Sequence, residues 1–216
     1  MRPLRSILLR TTPIALAVGA FGVSFGVLAV GVGFPGWSVV LMSVLVFAGS
    51  AQFAAVGVIA AGGGWVAAVV TGALLNLRYL ATGIAVARSL PGGRLRRALL
   101  GQLVVDESFA LALADGAPGR PDGRTLIAAG AYIYLTWVAG TVLGVLLGPV
   151  LGDPMRLGMD AALPALFVAL LWPMLAGHRA VRCALAGAAV ALLLAPFTPG
   201  GVPLAGAAVV GLWLAR

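Results

Sequence analysis

Charge is scarce in this sequence. Only 9% of its 216 residues are charged and 62% are hydrophobic, with a mean hydropathy of +1.11, whereas a soluble domain is about 25% charged. That shortfall excludes an ordinary soluble domain and reads as an integral membrane protein. At roughly 20 residues per helical crossing, there is length for six to eight membrane segments and none for a separate soluble domain. Lysine is absent: all fourteen cations are arginine, and the net charge is +8. Most of them stand at the ends of apolar runs, so they read as topology signal and lipid-headgroup contact. No basic face or aromatic-basic module goes with them, which argues against a nucleic-acid partner. The single cysteine, Cys183, excludes an internal disulfide and a multi-cysteine metal site. The single histidine, His178, lies in a basic loop and reads as an inside anchor, not as the base an intramembrane serine protease needs. Asp106 and Glu107 are the only adjacent acids, too few for metal-dependent prenyl transfer. The chain is expected to be no enzyme and to need no cofactor.

What is present is a series of apolar runs with a few polar interruptions. Arg2, Arg5 and Arg10 precede a run over 13–33, too long for a secretory signal core and read as a retained first helix with a cytoplasmic N-terminus. Gly22 and Gly26 form a GxxxG pair that favours close helix packing. The second run, 37–61, carries Gly49, Ser50 and Gln52 in its middle. A polar, glycine-containing break at membrane depth is tolerated where it is buried or lines a cavity, and transporters place substrates at such breaks; a plain helix interface is the alternative. The third run, 65–87, carries Asn76, Arg78 and Tyr79 near its middle. Arg78 lies about ten residues from either end, too deep to reach headgroups, so it needs an ion pair or a function. Arg88, Arg94, Arg96 and Arg97 form a basic loop, and the fourth run, 98–114, holds Gln102, Asp106, Glu107 and Ser108 at its centre. On a helix the two acids point about 100° apart, so one is free to neutralise Arg78 while the other faces the cavity. A polar connector follows at 115–124, then runs at 125–150, 159–176, 183–196 and 202–215.

If all eight runs cross, the 88–97 loop lies opposite the N-terminus, against the positive-inside bias. Drawing 37–61 as a re-entrant hairpin from the outer side and 159–176 as one from the inner side removes the conflict. Both termini and the 88–97 loop are then cytoplasmic and 115–124 periplasmic. The expected fold is an all-α polytopic membrane protein, one transmembrane domain over 1–216, with about six transmembrane helices and two re-entrant segments; seven or eight full crossings is the alternative. Its repeat halves are 1–114 and 120–216, and they must be inverted. Gly22-x-x-x-Gly26-Val27-Leu28 matches Gly140-x-x-x-Gly144-Val145-Leu146.

Four motifs span almost the whole chain in order: Phe47-Ala48-Gly49-Ser50-Ala51-Gln52-Phe53, Asn76-Leu77-Arg78-Tyr79, Asp106-Glu107-Ser108-Phe109 and Ala162-Leu163-Pro164-Ala165-Leu166-Phe167. Together they resemble the motif series of the AzlC-like branched-chain amino acid exporters. The resemblance implies a secondary transporter that exports branched-chain amino acids, with methionine a further candidate, across the bacterial inner membrane. It also implies a small AzlD-like membrane subunit as partner. Tyr79 stands where many relatives carry histidine, so no imidazole role carries over.

Such a substrate presents a carboxylate, an ammonium and a small apolar side chain. Gly49, Ser50, Gln52 and Asn76 are the candidate binding residues, with a half-helix N-terminus meeting the carboxylate. The expected place is the mid-depth break, opposite Pro164 and walled by Phe47, Phe53 and Phe167. Arg78, Asp106 and Glu107 are candidates for an ion pair, for ammonium binding or for carrying a coupling proton. The reading outside transport is a scaffold subunit, which gains little from the desolvation of three charges.

Overall fold

The computed structural model describes residues 2–117, 120–151, 177–198 and 202–214, with the single positions 168, 172 and 175. The expectations placed on 152–167, among them the interruption at Pro164, lie outside the described residues. The described helices are α1 (Leu4–Gly31), α2 (Gly36–Leu45), α3 (Gly49–Ala60), α4 (Trp65–Asn76), α5 (Arg78–Val86), α6 (Arg94–Gly101), α7 (Asp106–Asp115), α8 (Gly123–Leu151), α9 (His178–Leu194) and α10 (Val202–Leu214). No strand occurs among the described residues; one isolated bridge pairs Ala117 with Arg120.

Local chemistry sets the helix ends. Pro3 and Pro35 stand at the N-caps of α1 and α2, where a missing N–H costs nothing. Asp122 caps α8 by accepting the Thr125 N–H at 2.7 Å, and so satisfies one of the first-turn donors. By length and composition, Leu4–Gly31 and Gly123–Val150 are able to cross a bilayer; α4 with α5, bent by 40°, makes a third if counted as one span. Among the described residues the count stays below the six crossings read from the sequence because the runs 65–87 and 98–114 are each divided and α9 and α10 are only 17 and 13 residues long. Arg94, Arg96 and Arg97 accordingly belong to a helix, α6, and not to a loop.

The chain forms two compact units, Met1–Gly49 with Asn76–Gly152 and Ser50–Leu75 with Asp153–Arg216. They interleave along the sequence and do not coincide with halves at 1–114 and 120–216. In the first unit α1 packs against α8, and α2 and α7 also lie on α8. The contact between α1 and α8 is glycine against glycine. A Cβ on Gly26 would sit 2.5 Å from the Thr141 carbonyl oxygen and 2.9 Å from the Gly144 Cα. Gly22 faces Trp137 and Thr141, and Gly148 faces Val27 and Val30. Residue numbers rise together along both helices, so they run in the same direction. Inverted repeats that paired 22–28 with 140–146 would set those segments antiparallel; in the first unit they lie parallel.

The shared starting end of α1 and α8 is held by ions. Asp115, its side chain 3% exposed, takes Arg2 Nε at 2.9 Å and Arg10 Nη1 at 2.6 Å, and it accepts the Thr125 hydroxyl at 3.2 Å. Burial alone raises the Asp115 pKa, but the hydrogen bonds from Arg10 and Thr125 and the charges of Arg10 and Arg2 outweigh it, so the pKa is lowered. Leu4, Ser89, Pro91 and Arg120 to Arg124 line one pocket at this end. Residues 115–117 and 120–124 of the connector therefore lie on the same side as the N-terminus and the 88–97 loop, which corrects their placement on the periplasmic side. The reason is that α6 and α7 together return to the end they left, forming a re-entrant pair inside the fourth run. The polar residues Gln102, Asp106, Glu107 and Ser108 mark the middle of that run, but nothing in their spacing encodes a reversal of direction.

In the second unit α9 packs on α10 as an antiparallel pair, with Arg179 Nε donating to the Leu214 carbonyl at 3.3 Å. The C-terminal end of α10 thus sits beside the basic residues that begin α9. Within α3 the buried face includes Ala51, Gln52, Phe53 and Val56.

Candidate functional site at the helix breaks

Three helix breaks of the first unit lie near mid-depth. Helices α2 and α7 are ten residues each and α5 is nine, about 13–15 Å at 1.5 Å per residue, which is half of a hydrocarbon core roughly 30 Å thick. The breaks fall at 46–48, at 77 and at 102–105.

Between α2 and α3 the left-handed residue is Phe47, at φ 41°, and not Gly49. A bulky residue in that region costs roughly 1–2 kcal/mol, and packing holds it there. Phe47 is buried, and its ring meets Tyr134 edge-on at 5.0 Å. Gly49, the first residue of α3, serves closeness instead: a Cβ there would lie 3.0 Å from the Trp137 indole. Trp137 stacks on Phe25 at 5.8 Å and donates its Nε1–H to Ser43 Oγ at 3.2 Å. Ser43 Oγ and Thr141 Oγ1 are 2.9 Å apart, both buried.

Ending α2 early leaves carbonyls that a bilayer would not satisfy. Gln102 Nε2 donates to the Leu45 carbonyl at 2.8 Å, and Tyr134 donates its hydroxyl to the Val44 carbonyl at 3.1 Å. The α6–α7 break thereby supplies a donor to the α2–α3 break. That break is itself tied by Ser108, whose hydroxyl accepts the Val105 N–H at 3.0 Å and bonds the Leu103 carbonyl at 2.8 Å.

Asp106 opens α7, where the helix dipole favours a carboxylate. Arg78 opens α5, and its Nη1 lies 3.0 Å from Asp106 Oδ2. The same guanidinium donates to the Tyr79 hydroxyl at 3.2 Å and lies 4.9 Å from that ring's centre. This pair is half-covered by the chain, with the side chains 38% and 50% exposed. Glu107 makes no ion pair among the described residues. Asn76 ends α4, and its buried Oδ1 has no hydrogen-bond partner among the described residues.

The structure thus joins Arg78 to Asp106, places Gly49, Ser50 and Gln52 in the first turn of α3 with Gln52 fully buried, and sets Asn76 beside the bend at 77. Ser43, Tyr134, Trp137 and Thr141 were not singled out from the sequence, and Gln102 had no role there. The available signal was chemical: an amide and a Tyr-Trp-Thr series inside apolar helices must find partners. Among the described residues no group of three or more His, Cys, Asp or Glu forms a metal site.

Apolar helices broken near the middle of their runs, with charge at the break, are consistent with a polytopic membrane protein. The chain belongs to the AzlC protein family, whose model matches residues 13–151. A membrane protein of Archaeoglobus fulgidus is 32% identical over 210 residues, covering 96% of this chain and 91% of that one. One of Haemophilus influenzae is 28% identical, covering 89% and 79%. The branched-chain amino acid transport protein AzlC of Bacillus subtilis is 27% identical, covering 76% and 65%. No solved structure matches.

Proposed function

We propose that this chain is a secondary transporter that exports branched-chain amino acids, and methionine with them, across the bacterial inner membrane. The observation that carries the reading is the set of three breaks linked at mid-depth by Gln102 and by the Arg78–Asp106 pair, in a chain similar to a branched-chain amino acid transport protein. The substrate carboxylate meets the first turn of α3 at Gly49, Ser50 and Gln52, where the helix dipole is positive. Asn76 is a further candidate for an amide contact, and Asp106 and Glu107, with Arg78, are the candidates for ammonium binding or for the coupling proton. A half-exposed ion pair at that depth needs water or another polar surface beside it, which suits a cavity shared with a small AzlD-like subunit.

Orientation follows from arginine placement. In the first unit Arg2, Arg5, Arg10, Arg88, Arg94, Arg96, Arg97, Arg120 and Arg124 belong to one end, and the segments 31–36 and 146–151 at the other carry no charge. The positive-inside bias makes the arginine end of the first unit cytoplasmic; applied by itself to the second unit, the same bias makes the end of α9 that carries Arg179 and Arg182 cytoplasmic, and with it a cytoplasmic C-terminus. The test is efflux of radiolabelled leucine from proteoliposomes under an imposed proton gradient, with and without the small subunit. Gradient-driven leucine efflux is expected. A folded chain that carries no leucine in either case would be a scaffold subunit, and the proposal would fall.

A further inference from the structure

A pocket of about 840 Å³ opens at the arginine end of the first unit, away from the helix breaks. Arg120 and Arg124 stand on its rim, both exposed and neither in an ion pair among the described residues. The acids nearby are already engaged. Asp115 holds Arg2 and Arg10, and Asp122 caps α8. Four arginines against two aspartates leave the mouth positive by two. Below the rim, Ile127, Ala128 and Ala131 line the pocket. With Arg124 they occupy positions i, i+3, i+4 and i+7 of α8, which form a single helix face. That face begins with a guanidinium at membrane-surface level and continues inward as an apolar, small-residue groove. Ser89 lines the same pocket, and its buried Oγ has no hydrogen-bond partner among the described residues.

We infer that this pocket seats one anionic phospholipid. The phosphate lies against Arg120 and Arg124, Ser89 donates its hydroxyl to a phosphate or ester oxygen, and the upper part of one acyl chain follows Ile127, Ala128 and Ala131. A soluble anion would use the rim and leave the groove empty. A zwitterionic lipid would fill the groove and gain little from the net positive mouth, whereas an anionic lipid uses both.

The full chain, purified in detergent, is titrated with phosphatidylglycerol, with phosphatidylcholine and with glycerol 1-phosphate, reading retained lipid by native mass spectrometry and melting temperature in parallel. Phosphatidylglycerol is expected to be retained in preference to phosphatidylcholine and to raise the melting temperature, with no effect of glycerol 1-phosphate. Arg120→Gln and Arg124→Gln should each cut the preference about fivefold and together roughly thirtyfold. Ala131→Phe, which fills the groove and leaves both charges, should weaken retention of both lipids. An undiminished preference in the double variant would overturn the inference. So would an equal melting shift from glycerol 1-phosphate, which would make the site one for free phosphate. If the double variant does not fold, unchanged retention by Ala131→Phe overturns it alone.

Discussion

Phe47 pays for its left-handed backbone with a buried ring, and what keeps it there is a small set of donors aimed at the end of α2. Gln102 is the most exacting of these, because its partner, the Leu45 carbonyl, has no helical donor at mid-depth. Gln102→Leu keeps the bulk and removes the donor. It should cost about 1–3 kcal/mol, read as a lower melting temperature in detergent with a loss of transport. Unchanged stability would mean that water or another group satisfies that carbonyl. Asp115 makes a second residue-scale case, outside the bilayer. Its folded pKa is lowered, so its contribution to stability is fully present above the unfolded value of about 3.9 and is lost as pH falls through the folded value. Asp115→Asn should be less stable than the wild type at neutral pH, and the gap should close in acid. Melting curves from pH 7 down to pH 3 check the sign, and a gap that widens in acid would contradict it.

At the scale of elements, the glycines of α1 were legible and their partner was not. Gly22 and Gly26 predict close packing wherever they go, but which helix they meet depends on chain direction, which spacing does not encode. The structure sets them on Gly140 and Gly144 in a parallel pair. Added at Gly26, a methyl meets the Thr141 oxygen at 2.5 Å and the Val145 nitrogen at 2.8 Å, backbone atoms unable to swing aside. Gly26→Ala should therefore destabilise by about 1–3 kcal/mol, while Gly57→Ala, whose Cβ meets nothing within 4 Å, should be neutral or slightly stabilising. Equal melting temperatures for the two variants would contradict the contact. Ser50 and Gln52 betrayed the break at 46–48, though the strained residue is Phe47. Asn76 and Arg78, and Gln102, Asp106 and Glu107, flank those at 77 and 102–105; they marked polar sites but not turns, because a polar side chain in an apolar run needs a partner whether or not the helix breaks beside it, and helices apolar all round carry little periodic signal.

At the scale of the whole molecule, composition was enough for the membrane and four motifs for the family, whereas sidedness needed the ion pairs of Asp115. The run 98–114 is long enough to tempt a crossing, and only the return of α7 to Arg2 and Arg10 places Asp115 beside the N-terminus. In a Cys183→Ala background, Arg94→Cys and Arg120→Cys should both react with an impermeant thiol reagent from the cytoplasmic side, and Pro35→Cys from the periplasmic side. Labelling of Arg94→Cys and Arg120→Cys from opposite faces would contradict the re-entrant α6–α7 pair.

The central claim is that a branched-chain amino acid passes through the break at the start of α3. Gln52 is fully buried and Ser50 stands in the same first turn, so Gln52→Leu and Ser50→Ala remove polar contacts with little change in volume. The deciding measurement is leucine affinity and efflux rate for these two variants in proteoliposomes, beside their melting temperatures. The account predicts that both fold and that leucine affinity falls about tenfold or more in Gln52→Leu, as for a lost hydrogen bond to a charged group, with a smaller fall in Ser50→Ala. Wild-type affinity and rate in both well-folded variants would contradict it and move the site to Asn76 and the bend at 77.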